Sequence, residues 1–291
     1  MHLLNQITTS ACLSDAGRMM EGNQLHRIGE LIELTESRYV LEDDLAELCR
    51  LMVMEQPDLV EACFDLIRMP ARIVWIEWSE NFEAGRGRIG LIVRTDEDGR
   101  RGNIQTVWEN SKGRPIPEIG RIAFDFDGAV SAPPDSMMRH TDPKVSDLLA
   151  HFWLEPSPGV NGKEFLKARN KIADCIWLTG PLIAAFCILI TFRNDLQSME
   201  RSFDRLNMKR AKLGKPALLN HIEIKTSLLH STSNGDSGSS GSSGLSRREC
   251  RLHHVRGHFV RRGATVYWRG AHLRGSAQRG IAPKRTQIVG L

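Results

Sequence analysis

The stretch at residues 231–246, STSNGDSGSSGSSGLS, most constrains the architecture, because almost nothing in it can enter a core. Gly/Ser-rich segments behave as flexible coil, so whatever folds must fold on either side of it. The chain therefore reads as a mixed domain over 1–230, a linker over 231–246 and a tail over 247–291. The two folding parts carry opposite charge. The tail has eleven Lys or Arg against one acid, Glu249, about +10, whereas the whole chain is +4, leaving roughly −6 for residues 1–244. A basic surface of that density attracts phosphate by long-range field and by contact.

At 291 residues the chain suits two domains, or one large domain with an appendage. The first part is long enough to bury a proper core, but the tail is too short to fold easily alone, so docking or metal is expected to support it. The six cysteines, Cys12, Cys49, Cys63, Cys175, Cys187 and Cys250, form no CxxC pair. They make neither a disulfide framework nor a zinc ribbon and fit a reducing cytoplasm. The opening MHLLNQITTSACLSDAGRMM lacks a basic segment ahead of a long apolar core, so no secretory signal is expected and residues 1–22 read as loose.

Residues 24–69 read as helices. Leu25, Ile28 and Leu31 recur at helical spacing, and so do Leu41, Leu45, Leu48 and Met52, with Glu42, Asp43 and Asp44 in the first turn, where acids suit the helix dipole. Pro57-Asp58 starts a further helix with Leu59, Cys63 and Ile67 as its apolar stripe. The pattern then changes. Residues 73–78 (IVWIEW), 88–94, 104–108 and 121–128 predict an antiparallel sheet of about four strands. Asp125 and Asp127 share one face of the last strand. With Glu77 they would make an oxygen set of the kind Mg²⁺ takes, although acids just before Gly128 more simply solvate a turn.

Residues 143–154 and 162–172 read as helical. The run 175–192, CIWLTGPLIAAFCILITF, has no charge and is a transmembrane candidate at the short limit of length. Gly180-Pro181 in its middle and the β-branched end argue instead for a buried helix followed by a buried strand at 188–192. Residues 206–219 predict a short basic helix capped by Gly214 and ended by Pro216, with Lys209, Arg210, Lys212 and Lys215 able to meet phosphate or to act as ordinary helix-dipole partners. Residues 221–225 alternate as a strand at a sheet edge.

The tail reads as β. If 252–260 is one extended strand, His253, Val255, Gly257 and Phe259 share one face, and His254, Arg256, His258 and Val260 the other. Arg262-Gly263 is the turn, 265–269 the returning strand with Val266 and Trp268 on one side, and 286–291 a third strand. His272 reaches the His254/Arg256/His258 face from the loop beyond. Three chemical readings follow. Basic strands interleaved with Phe259, Tyr267 and Trp268 suit phosphate contact and base stacking through Arg261, Arg262, Trp268 and Arg274, joined by Lys209, Arg210 and Lys215. His254 and His258 as general base and acid, with Arg256 or Arg274 stabilising a phosphorane and His272 completing the cluster, suit a metal-independent nuclease. Cys250, His253 or His254, His258 and His272 offer zinc-ligand types without a known finger spacing. A basic β-element that merely docks on the acidic body is the structural alternative.

The segment LN-x-x-R-x-x-x-GKP at 206–216 and the cassette RLHHVRGH…W…H-x-x-G at 251–275 resemble a family of phage- and prophage-encoded proteins of uncharacterised activity, in which a W-x-E-W strand precedes them. The resemblance covers about the last 90 residues and implies a phage or prophage context, with no activity or catalytic residue to carry over. Some relatives have Cys where this chain has His272, an exchange that suits a soft metal ligand.

Together these readings predict an α+β protein: N-terminal helices, an antiparallel sheet, further helices and a basic C-terminal β-element. The expected function is nucleic-acid contact through the tail in the cytoplasm. A nuclease and a structural or membrane-tethered interaction protein are the alternatives. No cofactor or metal ligand is assigned, and nothing in the sequence sets the oligomeric state.

Overall fold

The mostly apolar hexapeptide IVWIEW becomes part of a strand near the middle of a nine-stranded sheet. The computed structural model describes residues 2–9, 19–82, 85–128, 148–157, 159–193, 196–226, 251–255, 258–263, 265–269, 272–274 and 276–281. Contacts divide the chain into two units, residues 1–227 and 228–291. In chain order the first unit contains helices α1 (Leu3–Ile7) and α2 (Met19–Glu33), strand β1 (Ser37–Leu41), and helices α3 (Asp43–Glu55) and α4 (Pro57–Ala62). Strands β2 (Ile73–Phe82), β3 (Gly85–Thr95), β4 (Arg101–Glu109), β5 (Pro115–Pro117), β6 (Gly120–Asp125) and β7 (Phe152–Pro156) follow. Helix α5 (Gly162–Phe192), strand β8 (Leu196–Arg201), helix α6 (Asp204–Lys212) and strand β9 (His221–Thr226) complete it. The protein is α+β, as its sequence predicts.

The strand order is β7-β6-β4-β3-β2-β1-β9-β8, with β5 added alongside β4. The sheet is mixed rather than antiparallel, because β1 runs parallel to both β2 and β9. Val74, Trp75, Ile76 and Trp78 are all buried. Successive side chains leave opposite faces of a strand, so β2 is covered on both sides. Trp75 faces α1 and α2, in a core cluster with Leu3, Leu4, Ile7, Leu25, Ile28, Ile32, Ile92 and Val107. Ile76 points the other way, in register with Tyr39, whose ring lies 5.3 Å from that of Phe186 on α5.

Several expectations change. Residues 1–22 are not all loose: Leu3, Leu4 and Ile7 of α1 are fully buried. A five-residue helix has no stability of its own, and its partner lies far away in sequence, so no local pattern announces it. The helical stretch 24–69 is interrupted by β1, and Leu41 ends that strand rather than opening a helix. Residues 152–154 are strand, not helix, since they pair with β6. Residues 188–192 are helix, not strand. The run 175–192 continues through Pro181 within α5, with Leu182 to Leu189 buried on all sides, and that burial outweighs the local penalty of proline and β-branching. Gly180 allows the helix to approach β7, since a Cβ there would sit 3.1 Å from Phe152. Among the described residues no helix is long and apolar enough to cross a membrane. Strand β9 lies inside the sheet between β1 and β8, not at its edge. The predicted basic helix is α6, and Gly214 follows it at φ +64°, the left-handed conformation that suits glycine at a helix end.

The side chains of Cys49, Cys63 and Cys187 are buried. Burial pushes the Cys49 thiol up to about 12 and raises that of Cys187 as well. These three side chains are expected to resist an aromatic disulfide reagent in the folded protein and to react at once in denaturant, as stopped-flow thiol titration would show.

In the second unit, β10 (Arg251–Val255), β13 (His272–Arg274) and β14 (Ser276–Ile281) form one small sheet, ordered β13-β10-β14. Strands β11 (His258–Arg262) and β12 (Thr265–Arg269) form a separate hairpin. In place of the expected single strand over 252–260, residues 251–255 and 258–262 pair with different partners. The linker at 231–246 and the strand expected at 286–291 lie outside the described residues.

Candidate functional site

Two places are considered among the described residues. The first is the tail, where the sequence pointed. Arg256 lies outside the described residues, and so do the side chains of His254, His258, Trp268, His272 and Arg274. Backbone pairing sets His272 opposite Val255 and Leu273 opposite His254, while His258 pairs with Arg269 in the other sheet. His254 and His258 thus belong to strands with different partners, and the common face expected for them and Arg256 lies outside the described residues.

Phe259 pairs with Trp268 and Arg261 with Val266, and both Phe259 and Val266 are buried. Directly opposed residues share a face, so the alternate positions Val260, Arg262, Thr265, Tyr267 and Arg269 form the other side. Arg262, Thr265 and Arg269 are exposed there, and the Arg262 guanidinium lies 5.8 Å from the centre of the Tyr267 ring. Arg261 lies on the side of the buried pair and donates from Nε to the Gly263 carbonyl at 2.8 Å. Arg269, which the sequence reading passed over, thus belongs to the exposed basic face. In the first unit Lys209 and Lys215 are exposed, whereas Arg210 donates to the Pro216 carbonyl at 2.8 Å and serves its own turn.

The acids considered for Mg²⁺ do not meet. Asp125 pairs with Arg101 at 3.0 Å, and Asp127 with Arg100 and Arg101. Glu77 lies on β2 with partners of its own, whereas arginines on β4 and in the turn before it pair with both aspartates.

Those partners define the second place. Glu77 is 1 % exposed and faces α1. Its carboxylate accepts from the backbone N–H of Leu3 at 2.8 Å and of Leu4 at 3.0 Å, and from Trp75 Nε1 at 3.2 Å. It thereby caps the orphan N–H groups that open a helix. His2 precedes the helix, and its Nδ1 lies 3.2 Å from Glu77 Oε1. Burial pushes the Glu77 carboxyl up, but the hydrogen bonds from His2, Leu3 and Leu4 outweigh it and hold the group below the usual carboxylate range. Register then carries the row across the sheet: Glu77 pairs with Val40, and Val40 with Glu223 on β9. His221, two residues before Glu223, shares its face.

The His2 and His221 rings meet edge to face at 4.7 Å. His221 Nδ1 lies 3.4 Å from the Leu219 carbonyl, and that segment is held by Asn5 Oδ1, which accepts from Leu219 N at 2.7 Å. The His221 side chain is 1 % exposed, and its Nε2 is buried with no hydrogen-bond partner, 3.9 Å from Glu223 Oε1. Burial holds His221 below its usual range. Glu223 Oε2 pairs with Arg201 at 2.8 Å, a bond that lowers the carboxyl. One donor atom each from His2, His221 and Glu223 lie within 4.8 Å of one another. The readable part of this cluster was the alternation of His221 and Glu223. Nothing local ties His2 to them.

No protein-family model matches the chain, and no curated protein or solved structure matches it.

Proposed function

We propose that this is a phage- or prophage-associated protein that works in the cytoplasm and contacts nucleic acid through residues 247–291. The observation that carries the reading is the two-sided hairpin: Phe259 and Val266 are buried on one side, and Arg262, Arg269 and Tyr267 stand on the other. An aromatic ring flanked by guanidinium groups offers a base a stacking surface and its phosphates a counter-charge. The tail's charge of about +10 supplies the long-range attraction. The LN…GKP and RGH motifs support the phage context.

Arg262→Gln with Arg269→Gln should weaken binding to single-stranded and duplex oligonucleotides alike. Two lost phosphate contacts flatten the slope of log K against log salt by about 1.4 on single strands and about 1.8 on duplex. Fluorescence anisotropy over a salt series measures it. An unchanged slope would remove this face as the contact surface.

A further inference from the structure

We infer that His2, His221 and Glu223 form a binding site for a divalent transition metal of the zinc class. The inference is independent of the tail. Its first support is composition: two imidazoles and a carboxylate are ligands for zinc or iron(II), not for Mg²⁺ or Ca²⁺, which take oxygen.

The second support is orientation. Each ligand is held by a different partner that occupies one of its donor atoms and leaves the other. Glu77 takes Nδ1 of His2, the Leu219 carbonyl takes Nδ1 of His221, and Arg201 takes Oε2 of Glu223. Carboxylate or carbonyl behind a histidine fixes the ring and the tautomer in which Nε2 carries the lone pair, as second partners of metal ligands commonly do.

The third support is the atom left over. Nε2 of His221 is buried, faces Glu223 and has no hydrogen-bond partner. A buried polar atom without a partner costs free energy and calls for an explanation, which a metal ion supplies. Glu77 and Glu223 provide two carboxylates beside the imidazoles, partly offset by Arg201 and by Arg88, whose Nε lies 4.0 Å from Glu77.

Tetrahedral zinc ligands at about 2.0–2.2 Å from the ion lie about 3.3–3.5 Å apart. The present spacings of 3.9 Å for the His221–Glu223 pair and at most 4.8 Å overall therefore require the side chains to close by roughly an ångström. His2 and Glu223 are partly exposed, and small shifts that keep their bonds to Glu77 and Arg201 suffice. Three protein ligands leave a fourth position for water, the arrangement of reactive rather than closed structural zinc sites.

The test uses the full chain, stripped with a chelator and titrated with Zn²⁺ and separately with Co²⁺. One equivalent of zinc should bind, cobalt should give visible d–d bands, and zinc should raise the melting temperature. Glu223→Gln and His2→Gln should each weaken zinc binding by at least about tenfold and abolish the cobalt bands. His258→Ala in the tail should change neither. Both test positions are partly exposed, and circular dichroism checks that each variant is folded. If one fails to fold, the other decides. A folded wild-type chain that takes up no zinc or cobalt overturns the proposal. So does an equivalent of zinc that survives in Glu223→Gln and His2→Gln, or one that is lost in His258→Ala.

Discussion

Gly90→Ala is expected to destabilise the first unit by about 2–3 kcal/mol, the upper part of the range for overpacking a core. Gly90 lies on β3 directly opposite Glu77. A Cβ there would stand 2.3 Å from Cζ2 and Cη2 of Trp75, and 3.1 Å from Leu3 Cδ2. The indole has nowhere to go: Trp75 is fully buried within the cluster formed by α1, α2 and the sheet. Any shift also moves Nε1 away from Glu77, so the strain passes to the group that caps α1. For a unit of this size the loss corresponds to roughly 5–10 °C in melting temperature. Gly162→Ala is the control, since nothing lies within 4 Å of its added Cβ at the start of α5. It should leave the melt unchanged or slightly higher. Equal stability of Gly90→Ala and wild type would contradict this packing.

Glu77→Ala should cost more, about 3–5 kcal/mol, because it leaves buried donors without an acceptor. Leu3 N, Leu4 N and Trp75 Nε1 would all lose their partner, and α1 would lose what holds it on the sheet. Glu77→Gln retains one acceptor oxygen and should fall between. Acid should act on the same region in two stages. His221 is held below its ordinary 6.5, so its contribution is complete above that value and declines as pH falls through it. Glu77 is held below its ordinary 4.5, so its contribution is complete above that value and is lost as pH falls through the lower folded value. Urea midpoints measured from pH 8 to pH 3 should fall in both windows for the wild type. The lower window should flatten in Glu77→Gln and the upper in His221→Asn. A profile that Glu77→Gln leaves unaltered below pH 4.5 would count against the depressed carboxyl.

Much of the fold was legible where a segment's own pattern decides its conformation. The runs around 73–78, 88–94 and 104–108 are strands, and α3 and α6 follow their periodicity and caps. What was missed depends on partners distant in sequence. Tyr39-Val40-Leu41 becomes strand because it lies in the slot between β2 and β9, and Leu3, Leu4 and Ile7 become helix because Glu77 caps them. The site divides in the same way. The two-residue spacing of His221 and Glu223 was visible as alternation, but the third member comes from the other side of a parallel crossover. In the tail the charge could be counted from composition. The continuity of a strand could not, because pairing rather than alternation decides where one strand ends and another begins.

The slot occupied by β1 has a further consequence for the order in which the molecule can be made. Strands β2 and β9 flank β1 in parallel, and Asn5 holds the backbone at Leu219, 214 residues later. As the chain leaves the ribosome, α1 and β1 emerge long before β9, and β1 waits for almost the whole unit before its outer neighbour exists. Contacts of such long sequence separation slow folding and leave an unpaired edge exposed in the meantime. His2, His221 and Glu223 meet only when that last strand is in place, so metal uptake would mark completion of the first unit.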